Sequence, residues 1–219
     1  MMYTWNMTRT TVPLITGETY HIFNRGVDKR NIFSDKVDYY RFYNCLVLFN
    51  AVHQVGSIFE LRWKSDWITN QSPLVEVNAY CLLNNHYHLL LTQVVDGGIS
   101  EFMKRLGGGY TSYFNERNKR SGSLFQGKYK RVLCESNEQL LYLASYVNLN
   151  NIVHSRNEYF MSSYDTYTGK SNESFVKTDI ILDQYKSIAQ FIKDAVGITQ
   201  QIADKRKSDK IWIDKTLLE

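Results

Sequence analysis

The chain has 219 residues, 43% hydrophobic and 14% aromatic, with a formal net charge of +4. That suffices for one medium-sized core, and only two prolines, Pro13 and Pro73, argue against a linker-rich or disordered protein. No apolar run reaches the roughly 18 residues of a membrane helix, and the N-terminus lacks the apolar stretch of a secretory signal. Cys45, Cys81 and Cys134 are scattered without a CxxC pair. They fit a reducing cytosol better than a disulfide scaffold or zinc knuckle.

In chain order, "TYHIFNRG" (19–26) alternates and stops at an Arg-Gly turn, predicting a first strand. "SDKVDYYRFYNCLVLFNAVHQ" follows as a helix, with Ser34 a candidate N-cap and Asp35 and Asp38 in its first turn. "SIFELRW" (57–63) reads as a second strand, and "DWITNQSP" as a loop. "VEVNAYCLLNNHYHLLLTQV" is two strand-like runs joined near Asn84-Asn85, a hairpin. Ile99, Phe102, Met103, Leu106, Tyr110, Tyr113 and Phe114 mark an amphipathic helix. It contains Gly107-Gly108-Gly109, each costing about 1 kcal/mol relative to alanine. Either the helix breaks there or a neighbour comes close to its backbone.

"LFQGKYKRVLCE" (124–135) predicts another strand. Ser136 and Gln139 have capping-box spacing and open a helix with apolar face Leu140, Leu143, Ala144 and Val147. "SSYDTYTGKSNES" (162–174) reads as a loop, and a last amphipathic helix ends at Gly197, before a charged tail. The order β-α-β-β-β-α-β-α predicts an α+β protein: a ferredoxin-like (RRM-like) antiparallel sheet with helices packed on one face, plus a C-terminal helical extension. The expected division is an N-terminal extension (1–17), a catalytic domain (18–160) and a C-terminal helical extension with charged tail (161–219).

Charge is uneven. Between Lys104 and Arg131 there are eight Lys/Arg and one acid, whereas the chain from Val132 onward has ten basic and twelve acidic residues. A basic segment suits a polyanion such as nucleic acid, and equally a solvated surface.

In "LLNNHYHLLL" (82–91), strand alternation sends His86 and His88 to one face and Tyr87 to the other. Two imidazoles about 7 Å apart on a strand can present two nitrogens to one metal ion. The same pattern also suits ordinary core histidines, and His21, His53 and His154 stand isolated in sequence. Tyr142, Tyr146 and Asn150, spaced by four, form a stripe beside the apolar face of the capped helix.

These segments resemble a known family. "NNHYHLLL" is similar to the His-hydrophobic-His motif of HUH endonucleases. "YHIFNRGVDKRNIF", "YFNERNKRSGSLFQGKYK" and "YVNLNN" resemble successive blocks of the single-tyrosine transposases, in the insertion-sequence-200-like and REP-associated group. "SSYDTYTG", followed by Asp179 and Leu182, resembles the C-terminal block. The resemblance implies a divalent metal, Mg²⁺ or Mn²⁺, held by His86, His88 and Asn150, with Tyr146 as nucleophile. It implies cleavage and transfer of single-stranded DNA beside imperfect hairpins through a 5′-phosphotyrosine, in a prokaryotic cytoplasm near the nucleoid, with monomer and homodimer both open. Asn148 and Asn151 depart from the family's common "YIHLNPV", as does the triple glycine. Arg25, Lys29, Arg30, Lys128, Lys130 and Arg131 are candidate phosphate contacts. The alternative is a non-catalytic, domesticated hairpin-binding module for DNA or RNA on the same fold. A replication initiator or relaxase is a further rival, with Tyr142 as a possible second tyrosine.

Overall fold

The computed structural model describes residues 13–53, 72–154 and 158–216. The strand expected at 57–63, most of the following loop and residues 1–12 lie outside these described residues. The elements are β1 (Thr19–Arg25), α1 (Lys36–Leu48), β2 (Val75–Leu83), β3 (His86–Gln93), α2 (Gly98–Arg117), β4 (Lys130–Leu133) and α3 (Asn137–Asn148). Then follow α4 (Asn150–Val153), β5 (Met161–Ser162), α5 (Tyr164–Tyr167), α6 (Asp179–Leu182) and α7 (Ile188–Thr216). The strands form one antiparallel sheet in the order β4-β1-β3-β2-β5. The β4-β1-β3-β2 core, with crossovers through α1 and α2, is the expected ferredoxin-like arrangement.

The register assigns side chains to faces. Phe23 pairs with His88 and Lys130, and His21 with Leu90 and Val132, so these residues share one face. Tyr87, Leu89, Tyr80 and Ile22 point to the other. There α1 and α2 close an aromatic core in which Phe42 meets Tyr87 at 5.1 Å and Tyr110 at 4.9 Å between ring centroids. The tyrosine-bearing α3 crosses the histidine face, where Tyr146 meets His88, and α7 packs against α3 and α4.

Local chemistry explains several boundaries. Asp35 rather than Ser34 caps α1, its carboxylate accepting from the N–H groups of Val37 and Asp38. Asp38 is buried and accepts from Ser34 N–H (2.7 Å), Tyr113 Oη (3.0 Å) and Arg117, tying α1 to α2. The triple glycine does not break α2. A Cβ on Gly109 would lie 2.6 Å from the Phe49 ring, so the close approach is at that residue, while Gly107 and Gly108 face open space. They border a groove of about 500 Å³ with Lys104, Phe125, Lys128 and Tyr129.

The strand expected from 124 to 135 shrinks to Lys130–Leu133, because Gly127 adopts a left-handed φ of 71° that no strand continues through. Residues expected as loop supply β5 and the short α5. The last helix runs through Gly197 to Thr216. One buried stripe of Phe191, Ala195, Thr199 and Ala203 outweighs the single glycine's cost.

Candidate functional site

The site begins at the two-residue turn between β2 and β3. Asn85 donates from Nδ2 to the Lys29 carbonyl (3.1 Å), which leaves its Oδ1 2.6 Å from His86 Nδ1. That nitrogen therefore carries the proton, and His86 Nε2 carries the lone pair a metal needs. His88, two residues on and fully inside, has Nδ1 2.8 Å from His21 Nε2 on the neighbouring strand. Donation from His88 to His21 would leave His88 Nε2 as the second lone pair. Burial pushes His21 down to about 3. Burial, followed by the neighbouring His21, His86, His154 and Arg206, holds His88 well below the ordinary imidazole value. Both rings are thus neutral near pH 7, the form that ligates metals.

Helix α3 brings Tyr146. Ser136 accepts from Gln139 N–H (3.2 Å), and Gln139 Oε1 reaches back to Glu135 N–H (2.7 Å), so the expected cap forms but extends one residue further upstream. Asn148, at the far end, accepts from Ser163 Oγ (2.7 Å), which also accepts from Tyr80 N–H (2.9 Å). The helix is thereby pinned to the sheet edge just beyond the tyrosine. Tyr146 is buried and stands edge-on to His88 (5.3 Å between centroids) and His21 (5.8 Å). Burial raises its phenol above the usual value, while Asn150 and Arg206 pull in the opposite direction.

Asn150 is fully buried; its Nδ2 donates to the Tyr146 carbonyl (3.3 Å), and its Oδ1 has no hydrogen-bond partner among the described residues. A buried carboxamide oxygen without a partner is a donor that suits a divalent cation, but Asn150 is not among the residues that line the histidine cleft. His154, isolated in sequence, is folded onto the pair: one ligand atom from each of His86, His88 and His154 lies within 4.8 Å of the others. Sequence reasoning passed over it, although its spacing of four from Asn150 was a usable signal.

These groups open into a cleft of about 310 Å³ lined by His86, His88, Tyr146, His154 and four cations, Arg25, Lys29, Lys130 and Arg206. Arg206 reaches in from α7, its NH1 3.3 Å from His154 Nε2. The other expected phosphate contacts lie elsewhere. Arg30 pairs with Asp28, Lys128 borders the groove at Gly107 and Gly108, and Arg131 is in register with Ile22 on the opposite face. Tyr142 is half-buried and does not line the cleft. Among the described residues, no helix is long and apolar enough to cross a membrane.

A ferredoxin-like sheet carrying a histidine-rich cleft with a tyrosine on an adjoining helix defines the class of protein. Residues 16–150 match the family described as "Transposase IS200 like", and the chain belongs to that family. No curated protein matches the chain in sequence. Among solved structures, it is similar to a REP-associated tyrosine transposase bound to a REP hairpin, at 11% identity and a TM-score of 0.47, covering 78% of this chain and 97% of that one. It also has a likeness to tRNA(His) guanylyltransferase from Saccharomyces cerevisiae, at 13% identity and a TM-score of 0.32, covering 89% of this chain and 80% of that one. Neither score carries a functional argument.

Proposed function

We propose that the chain is a transposase-type endonuclease and strand transferase for single-stranded DNA beside imperfect hairpins. The convergence of His86, His88 and Tyr146 on one cationic cleft, in a member of the IS200-like family, carries this reading. His86 and His88, with the Asn150 carboxamide, would hold a divalent ion, Mg²⁺ or Mn²⁺. When bound, such an ion polarises a non-bridging oxygen of the scissile phosphate and favours the phenolate.

The chain's own groups do the rest. Arg25, Lys29 and Lys130 hold phosphates at the rim, and Arg206 adds positive charge near the tyrosine. Tyr146 Oη forms a bond to phosphorus in line with the departing 3′ oxygen. The phenol loses its proton, the P–O3′ bond breaks and the 3′ oxygen takes up a proton, leaving a 5′-phosphotyrosine and a free 3′-OH. A second 3′-OH reverses the same exchange on a new strand, with no nucleotide cofactor. Burial raises the phenol above its usual value, so the tyrosine of the free protein is a phenol at neutral pH, and Asn150 and Arg206 are the groups that oppose that rise.

The test is a labelled single-stranded hairpin from the gene's flanks, incubated with Mg²⁺ or Mn²⁺. A covalent protein–DNA adduct should form with wild type and vanish with Tyr146→Phe and with His88→Ala. An adduct that persists in Tyr146→Phe overturns the nucleophile. Tight binding without an adduct on any flank favours a non-catalytic hairpin-binding module.

A further inference from the structure

The donor chemistry of this cleft is richer in nitrogen than the Mg²⁺ or Mn²⁺ reading requires. Mg²⁺ is a hard ion that takes oxygen ligands and keeps several waters, whereas imidazole suits the later first-row metals. Here three imidazoles meet: His86 and His88 from β3, and His154 from the end of α4. Their ligand atoms lie within 4.8 Å of one another. A tetrahedral site with bonds of about 2.0–2.1 Å needs ligand atoms roughly 3.4 Å apart, so the rings have to close by up to about 1.4 Å. His154 is half-exposed at a helix end, where such a movement is small.

We infer that His154 is a metal ligand beside His86 and His88, and that it makes the site prefer a borderline transition-metal ion, of the Fe²⁺-to-Zn²⁺ series, over Mg²⁺ and Mn²⁺. The inference rests on the metal site proposed above and narrows its occupant. It concerns the third imidazole alone and holds whether or not Asn150 also binds.

Arg206 adds a consequence. Its guanidinium is a pure donor, so its hydrogen bond to His154 Nε2 occupies the one lone pair of a neutral ring. An ion bound by His154 must take that lone pair, which releases Arg206 while leaving it at the cleft. In this arrangement Arg206 acts as a placeholder for the ion and becomes available to a phosphate once the ion has bound. The fit is one of exchange: the cation that guards the empty ring is itself an anion ligand.

Binding of metal to chelator-treated, full-length protein tests this without any cleavage assay. Mg²⁺, Mn²⁺, Co²⁺ and Zn²⁺ would each be titrated calorimetrically, with the Co²⁺ visible absorption recorded as a direct report of nitrogen ligation. Wild type should bind Co²⁺ and Zn²⁺ at least ~100-fold more tightly than Mg²⁺. His154→Ala should weaken Co²⁺ and Zn²⁺ by ~10-fold or more, alter the Co²⁺ spectrum and change Mg²⁺ affinity by less than ~3-fold. His154→Gln, which keeps a polar side chain, repeats the comparison in case the alanine variant folds poorly. Unchanged Co²⁺ affinity and spectrum in both variants, with loss of binding in His88→Ala, overturns the role of His154 alone. Unchanged binding in His88→Ala as well overturns the metal site itself.

Discussion

The two faces of the sheet use the same strands for opposite ends. Under α1 and α2, Tyr87, Phe42, Tyr110 and Phe33 pack ring against ring, and Tyr110 spends its hydroxyl on the Ile32 carbonyl at 2.5 Å. On the other side, one residue away along β3, His88 and His21 are buried as polar groups, and His21 Nδ1 finds no hydrogen-bond partner among the described residues. The first face is apolar burial that any ferredoxin-like domain could use. The second leaves desolvated lone pairs and an orphaned carboxamide in place, a cost that a ligand can offset. Stability and chemistry are thus separated by the period of two of a single strand.

Neighbouring substitutions should split along that divide. Tyr87→Ala removes a fully packed ring and is expected to cost about 3–5 kcal/mol in urea unfolding, whereas His88→Ala should cost no more than about 1–3 kcal/mol while abolishing metal binding. Equal stability losses would mean that the histidine face is simply core. Asp38→Ala, which strips three partners from the buried link between α1 and α2, should cost about 3 kcal/mol and leave metal affinity unchanged. Lys130→Ala should weaken single-stranded DNA binding roughly 3- to 10-fold and flatten its salt dependence, while Arg131→Ala, on the far face, should change it by less than about 2-fold. Similar losses from both would place the DNA path across an edge rather than in the cleft. The smallest pair lies in α2: Gly109→Ala should destabilise by about 1–2 kcal/mol against the Phe49 ring, and Gly107→Ala should stabilise by about 0.5–1 kcal/mol. Thermal melts of the two variants moving in opposite directions would establish that one glycine is needed and the other is not.

Periodicity made the hairpin, both long crossover helices and the capped tyrosine helix legible, because each sends an apolar pattern to one side. It misjudged elements whose ends depend on single backbone conformations, such as the left-handed Gly127 that shortens β4. It also missed where α7 stops, since a buried stripe overrides one glycine's local preference. Within the cleft, His86, His88 and Tyr146 were accessible through strand alternation and a family motif. His21 and Arg206 were not, because strand pairing and helix docking bring them in from 65 residues before and 120 after His86, and His154 offered only its spacing of four from Asn150. Only the folded register makes them neighbours. The split among Arg25, Lys130 and Arg131 likewise needs the face assignment, which charge alone does not contain.

The tie between Asn148 and Ser163 has a consequence for how copies of the chain work together. By fastening the tyrosine helix to its own sheet, it sets Tyr146 against histidines of the same polypeptide. If each copy works with its own tyrosine in this way, turnover per molecule should not depend on protein concentration. Mixing a copy that lacks the tyrosine with a copy that lacks a histidine should then restore nothing, and recovered activity would mean that copies exchange their tyrosine helices.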